Sequence, residues 1–147
     1  MIQGIYETHL EVSNLAQSID FFESLGLELS RVEEERGIAF LHIEASERSM
    51  IGLWEADSVS KRHFAFRVLE SRIDEVPSFL ADRGIELRSA FGVEPDDQPL
   101  IFPWATLASV YFYDPDGNSI EVTANLSDEA DEDLDPIPLD EWRQLHQ

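Results

Sequence analysis

Asp114-Pro115-Asp116-Gly117-Asn118-Ser119-Ile120-Glu121-Val122 runs straight from a turn into a strand. Pro115 fixes φ, while Gly117 and Asn118 tolerate positive φ, so turn chemistry is supplied twice over. Beyond the turn, Ser119, Glu121 and Thr123 share one strand face, with Ile120 and Val122 on the other. A carboxylate fixed on a strand just after a tight turn is placed to bind a metal ion or take a proton. An exposed hairpin glutamate is the plainer reading of this segment by itself, and the rest of the chain has to decide between them.

Working outward, the chain reads as an internal repeat. A strand over Ile5 to Val12 leads through Ser13-Asn14, either of them a candidate N-cap, into a helix ending near Leu25 and stopped by Gly26. Leu15, Ile19 and Phe22 give that helix one apolar stripe. Strands are expected near Leu27 to Val32, Ile38 to Ile43 and Ser49 to Trp54. The second copy starts with a strand over His63 to Val68, then a helix carrying Ile73, Val76 and Leu80 to Arg83, closed by Gly84. Pro77 means that this helix starts late or kinks. The two exits match, Leu25-Gly26-Leu27-Glu28-Leu29 against Arg83-Gly84-Ile85-Glu86-Leu87. Strands are then expected near Glu86 to Ser89, Ala108 to Tyr113 and Ser119 to Ala124.

The fold class is therefore α+β, two βαβββ units in tandem within a single domain spanning 1–147. Module 1 covers about 5–55, module 2 about 63–125, and an acidic tail 126–147. Outside the repeat, Gly92 to Thr106 holds Pro95, Pro99, Pro103 and Trp104 and reads as an irregular packed loop. The tail from Ser127 to Asp135 is rich in carboxylates and is expected to be solvated. Trp142 beyond it is expected to dock onto the body or a second subunit.

With 31 acidic against 10 basic residues the formal net charge is -21, which disfavours nucleic acid and anionic membrane surfaces as partners. There is no cysteine, so a metal would be held by His, Asp or Glu, which suits Zn, Ni, Mn, Fe or Mg. No apolar run reaches the length of a membrane span and no signal pattern opens the chain, so a cytoplasmic location is the default expectation. Lys61 is the sole lysine, and the excess of carboxylates is consistent with adaptation to high salt.

Strand parity assigns the faces. Leu10 and Val12 pack under the first helix, leaving Glu7, His9 and Glu11 opposite; Phe64 and Phe66 face the second helix, leaving His63, Ala65 and Arg67 opposite. Aligning Val12 with Val68 makes Glu7 the counterpart of His63 and His9 that of Ala65. Glu121 has Gly52 as its counterpart. Glu7 or His9, together with His63 and Glu121, are expected to converge on one cleft between the repeats. Three such ligands would leave open positions on a metal, as catalytic sites do.

The stretches His9-Leu10-Glu11-Val12-Ser13-Asn14-Leu15-Ala16-Gln17-Ser18-Ile19-Asp20-Phe21-Phe22, Leu25-Gly26-Leu27, His63-Phe64-Ala65-Phe66 and Tyr111-Phe112-Tyr113 running into Asp114 to Val122 span both copies. With them the chain resembles the vicinal oxygen chelate superfamily of glyoxalases, fosfomycin-resistance transferases, extradiol dioxygenases and bleomycin-resistance proteins. The resemblance implies paired βαβββ modules forming a half-open mixed β barrel with the helices outside, around a divalent metal (Zn, Ni, Mn or Fe). His63 and Glu121 match two usual ligand positions. The first-strand position, usually His, is Glu7 here, with His9 two residues on. The fourth position of glyoxalases corresponds to Gly52, so that ligand set is incomplete.

The resemblance implies a divalent-metal-dependent enzyme of glyoxalase type, a lyase or isomerase acting on a small molecule chelated through oxygens, in a homodimer. A dioxygenase is less favoured, because dioxygenases of the superfamily usually have more modules per chain. Glu121 or Glu7 would move the proton and His63 would stay a fixed ligand. Trp54, Trp104, Tyr111 and Tyr113 are candidates to line the pocket. Arg67 is a candidate to orient an anionic substrate, or simply to pair with Glu11. The competing reading is a metal-free, bleomycin-resistance-type protein that sequesters a cationic small molecule, for which the negative charge and the tryptophans are suited. A module used only for dimerisation is a third.

Overall fold

The computed structural model describes residues 1–44 and 48–147, in two compact units. The first comprises Met1–Arg62 with Asp114–Asn118, the second His63–Tyr113 with Ser119–Gln147. Each holds one mixed sheet, open at both edges. Among the described residues no helix is long and apolar enough to cross a membrane.

In the first unit, β1 (Glu7–Val12) is followed by α1 (Leu15–Ser24), β2 (Glu28–Glu33), β3 (Ile38–His42) and β4 (Met50–Glu55). The sheet order is β1-β4-β3-β2, with β1 parallel to β4 and the other pairs antiparallel. Asn14 is the N-cap, its side chain accepting the Gln17 N–H at 3.0 Å, an interaction that stabilises a helix by about 1 kcal/mol. Glu55 Oε2 accepts a second otherwise unpaired donor, Leu15 N–H, at 2.8 Å. α1 covers the sheet face from which Leu10, Val12, Leu41, Ile51 and Leu53 project, and Phe22 is fully buried against them.

The turn Asp114–Asn118 belongs to this unit. Asp114 Oδ1 accepts N–H bonds from Asp116 and Asn118, and its Oδ2 accepts from Asn118 Nδ2. Asn118 in turn accepts from Arg62 N–H, and Asp116 from Ser13 N–H. Burial pushes the Asp114 carboxyl above the usual carboxylate range, against the opposing pull of its hydrogen bonds. Gly117 sits at φ 81°, the left-handed conformation the turn requires.

The second unit repeats the plan: β5 (His63–Arg67), a 3₁₀ turn over Glu70–Glu75, α2 (Val76–Ala81), β6 (Leu100–Phe102), β7 (Leu107–Tyr113) and β8 (Ser119–Asn125). With a short C-terminal strand, β9 (Ile137–Pro138), its sheet is ordered β5-β8-β7-β6-β9, with β5 parallel to β8. Pro77 sits in the first turn of α2, so the late start is the alternative realised and there is no kink. Both helix exits close in the same way. Gly26 and Gly84 have φ 98° and 69°, and the N–H groups of Leu27 and Ile85 reach back to the carbonyls of Phe22 and Leu80. These are paired Schellman motifs, the physical basis of the matched sequences.

The strand expected near Glu86 to Ser89 does not form. A single ladder bond survives there, Arg88 N–H to Tyr111 O at 2.9 Å, before the chain leaves the sheet edge. It returns as β6, so the expected irregular loop contains a strand. In the first unit the matching irregularity is only a register shift between Leu29 and Arg31.

The C-terminal segment docks on its own unit. β9 (Ile137–Pro138) pairs with β6, and α3 (Leu139–Leu145) buries Trp142 to 1 % exposure. Trp142 Nε1 donates to Asp128 Oδ2 at 2.8 Å, and Arg143 pairs with Asp74 at 2.7 Å. Removing so large a buried side chain costs about 3–5 kcal/mol. We therefore expect Trp142→Ala to lower the urea midpoint accordingly. Because Trp54 and Trp104 are 45 % and 62 % exposed, it should also remove the blue-shifted part of the tryptophan emission.

Candidate functional site

Cross-strand register assembles a polar and aromatic face in the second unit, opposite α2. His63, Ala65 and Arg67 of β5 pair with Ser119, Glu121 and Thr123 of β8. These pair in turn with Tyr113, Tyr111 and Ser109 of β7. Directly paired residues point to the same side, so all nine share one face.

At its centre lie His63 and Glu121, with Nε2 to Oε2 at 3.3 Å. Glu121 is 7 % exposed, whereas the His63 side chain is half open to solvent. His63 Nδ1 lies 3.0 Å from the Ser119 carbonyl oxygen, which can only accept, so Nδ1 carries the proton. In a neutral ring the Nε2 lone pair then points at the Glu121 carboxylate. Two acceptors at this distance need a proton or a cation between them. Ser109 Oγ donates to Glu121 Oε1 at 2.6 Å and is itself 3.0 Å from Thr123 Oγ1. Oε1 is thus held, and Oε2 is the oxygen left to work.

Tyr111 closes one side, stacked on His63 with centroids 6.4 Å apart. Burial, and after it the Glu121 charge, push its phenol up to about 12, so it stays a hydrogen-bond donor at ordinary pH. Arg88, which the sequence did not single out, reaches the same face from the segment that leaves the sheet. Its guanidinium lies 5.1 Å from the Tyr111 ring centroid and 4.9 Å from that of Tyr113, and Nη2 donates to Ser119 Oγ. Among the described residues it has no carboxylate partner, and its Nε is buried without an acceptor. Arg88, Ser109 and Tyr111 border a shallow recess with a cavity volume of only about 10 Å³, walled further by Val93 and Leu100. Ser109 was findable, since it alternates with Tyr111 and Tyr113 along β7.

The corresponding face of the first unit carries Glu7, His9 and Glu11 of β1, paired with Met50, Gly52 and Trp54 of β4. His9 lies between two partners: Trp54 Nε1 donates to its Nδ1, and its Nε2 is 3.5 Å from Glu7 Oε1. Arg67 stands exposed at the end of β5, opposite Thr123, with no ion pair inside its unit. Trp104 is exposed in the 3₁₀ turn Pro103–Ala105 that joins β6 to β7. Leu107, just after that turn, pairs with Asn125, whereas Tyr111 pairs with Glu121. That separation is roughly 13 Å at 3.3 Å per residue, so Trp104 is not brought to His63 and Glu121. Among the described residues no group of three or more His, Asp or Glu side chains gathers as a metal site; the ligand-type pairs are His63–Glu121 and Glu7–His9.

Tyr111 supplies a pH test. A phenol pKa raised above its unfolded value of 10 contributes stability that is complete below that pH and is lost as pH rises through about 12. We expect tyrosinate absorbance to show one of the three tyrosines titrating near 12. Tyr111→Phe should lack that step and show a shallower loss of stability between 10 and 12.

Comparison with known proteins agrees with this architecture. The model of the Glyoxalase/Bleomycin resistance protein/Dioxygenase superfamily matches residues 4–122. The metallothiol transferase FosB of Staphylococcus saprophyticus is 26 % identical over 160 aligned residues, covering 99 % of this chain and 95 % of its own length. Among solved structures, an integron cassette protein from the mobile metagenome of the Halifax Harbour sewage outfall superposes with a TM-score of 0.68 at 29 % identity, over 84 % of this chain and 99 % of that one. Lactoylglutathione lyase from Agrobacterium tumefaciens gives 0.65 at 23 % identity, over 84 % and 94 %. With its paired βαβββ units and a family match across both, the chain belongs to the glyoxalase/bleomycin resistance protein/dioxygenase superfamily.

Proposed function

We propose that the protein is a divalent-metal-dependent enzyme of glyoxalase type, a lyase or isomerase acting on a small molecule that presents oxygen donors. The observation that carries this is the His63–Glu121 pair: a ring nitrogen held as an acceptor by a backbone carbonyl, facing a carboxylate oxygen at 3.3 Å. Metal-binding histidines characteristically give their other N–H to a carbonyl or carboxylate, and ligating carboxylates are themselves hydrogen-bonded, as Glu121 is by Ser109. The donor set of nitrogen and carboxylate oxygen fits Zn, Ni, Mn or Fe. In the assembled protein, for which we propose a homodimer, Glu7 is the further ligand.

A divalent ion held there would supply Lewis-acid polarisation of the substrate's oxygens. The chain's own residues do the rest. Glu121 or Glu7, whichever carboxylate is not engaged as a ligand when the proton moves, would take a proton from the carbon beside a carbonyl and return it to the neighbouring position. Tyr111, kept as a phenol, donates to developing negative charge. Arg88, rather than Arg67, orients an anionic group on the substrate, because Arg67 stands exposed at the end of β5, whereas the Arg88 guanidinium lies against the Tyr111 and Tyr113 rings beside Glu121. The same residue weighs against the rival reading of a cation-sequestering protein, since a cationic ligand on this face would meet a fixed positive charge.

Protein purified without chelator is expected to carry stoichiometric divalent metal by elemental analysis, with His63→Ala and Glu121→Ala each losing it. A metal-free protein that still binds cationic aromatic compounds would overturn the proposal in favour of the sequestering role.

A further inference from the structure

Gly52 occupies the place in the first unit that Glu121 holds in the second, and sequence alone reads it as a missing ligand. The structure gives it a use. A Cβ built on Gly52 would lie 2.6 Å from His9 Cε1 and nearer still to Nδ1, so the His9 ring fills the space that a side chain at 52 would take. The ring lies edge-on to Phe40 and Trp54, with centroids 6.1 and 5.6 Å away. An indole N–H can only donate, so Trp54 Nε1–H makes His9 Nδ1 the acceptor and leaves the proton on Nε2. That proton faces Glu7 Oε1 at 3.5 Å.

His63 and His9 are therefore held in opposite tautomers. His63 carries its proton on Nδ1 and offers Nε2 as a lone pair; His9 has its Nδ1 lone pair capped by an indole and presents a proton to a carboxylate. A ring held in the second way is a donor to its neighbour. We infer that His9 is a positioning residue: seated over Gly52 and fixed by Trp54, it orients the carboxylate of Glu7, leaving Glu7 as the first-strand ligand. The inference rests on the metal-dependent reading proposed above. It favours Glu7 over His9 as the ligand, because the His9 Nδ1 lone pair is taken by Trp54 while its Nε2 lies in ion-pair range of Glu7, and it makes Trp54 and Gly52 parts of the device. A conventional large side chain at position 52 would evict the ring.

The 147-residue chain tests this with and without metal. In the metal-free chain, long-range proton–nitrogen correlation of the imidazoles should show His9 with its proton on Nε2, and Trp54→Phe should release it into a tautomer mixture. With ¹¹³Cd²⁺ bound, scalar coupling should reach a His63 ring nitrogen and neither nitrogen of His9. His9→Ala should weaken Zn²⁺ binding by about tenfold, the lower end of what orienting groups contribute, and His9→Gln, whose amide can still donate to Glu7, should restore most of it. Gly52→Ala should match His9→Ala; since position 52 is buried, Trp54→Phe serves as the exposed variant acting on the same ring. Coupling of ¹¹³Cd to His9, a proton on His9 Nδ1 in the metal-free protein, or Zn²⁺ affinity unchanged in His9→Ala would each overturn the inference. Failure of the wild-type chain to bind either metal would instead overturn the reading beneath it.

Discussion

Parallel pairing of the first strand of each unit with its last strand is the constraint on which the rest depends. Parallel neighbours cannot be joined by a tight turn, so the chain must cross a helix and a hairpin before the last strand arrives. β1 and β4, and likewise β5 and β8, are brought together only in this way. The consequence is chemical. His63 and Glu121, far apart in sequence, end one register step apart, because His63 pairs with Ser119 and Ala65 with Glu121. The same ladder gives His63 its anchor: the carbonyl that fixes its Nδ1 proton belongs to the residue directly across the pair.

The same register generates the first-unit face and shows how two copies of one plan diverge. His9 lies opposite Gly52 where Ala65 lies opposite Glu121. Each pair combines one bulky polar side chain with one very small residue, but the bulky member has changed strands. At this one pair the bulky group has moved to the opposite strand, and a Cβ at Gly52 would lie within 2.6 Å of the His9 ring. Phe40 and Tyr111 occupy equivalent places on the next strands, facing Gly52 and Glu121 respectively. One hydroxyl separates them, and it is the one that faces Glu121.

Much of this was legible in the residues. Strand parity placed Glu7, His9, His63 and Glu121 on the correct faces because period-2 alternation is local. The matched Leu-Gly-Leu and Arg-Gly-Ile exits announced identical helix ends because a left-handed residue after a helix favours glycine. What stayed hidden depends on non-local hydrogen bonds. β6 is three residues long and sits in a proline-rich stretch, so it has too few residues to show alternation. It is a strand because both β7 and β9 pair with it. Arg88 was invisible for a related reason: Glu86 to Ser89 has a strand-like pattern, yet β6 takes the edge of β7 alongside residues 107–109 and leaves Arg88 only the bond to Tyr111. The opposite tautomers inferred for His9 and His63 lie beyond any sequence pattern, because each depends on the few atoms that face its Nδ1, the Trp54 indole for His9 and the Ser119 carbonyl and hydroxyl for His63.

Arg88 also bears on an apparent conflict between charge and substrate. A net charge of -21 draws divalent cations and repels anions at long range. At physiological ionic strength that field decays over about 8 Å, so the groups within a few ångströms dominate at a binding face. There the balance differs. Glu121 already accepts from Ser109 and faces His63, while Arg88 lies against two tyrosine rings with no carboxylate partner among the described residues. An aromatic surround neutralises little of a guanidinium's charge and excludes competing water, so the arginine remains available to an anionic group. The acidic exterior and the arginine against two tyrosine rings therefore act at different ranges: the first sets the field at a distance, and the second sets it at this face.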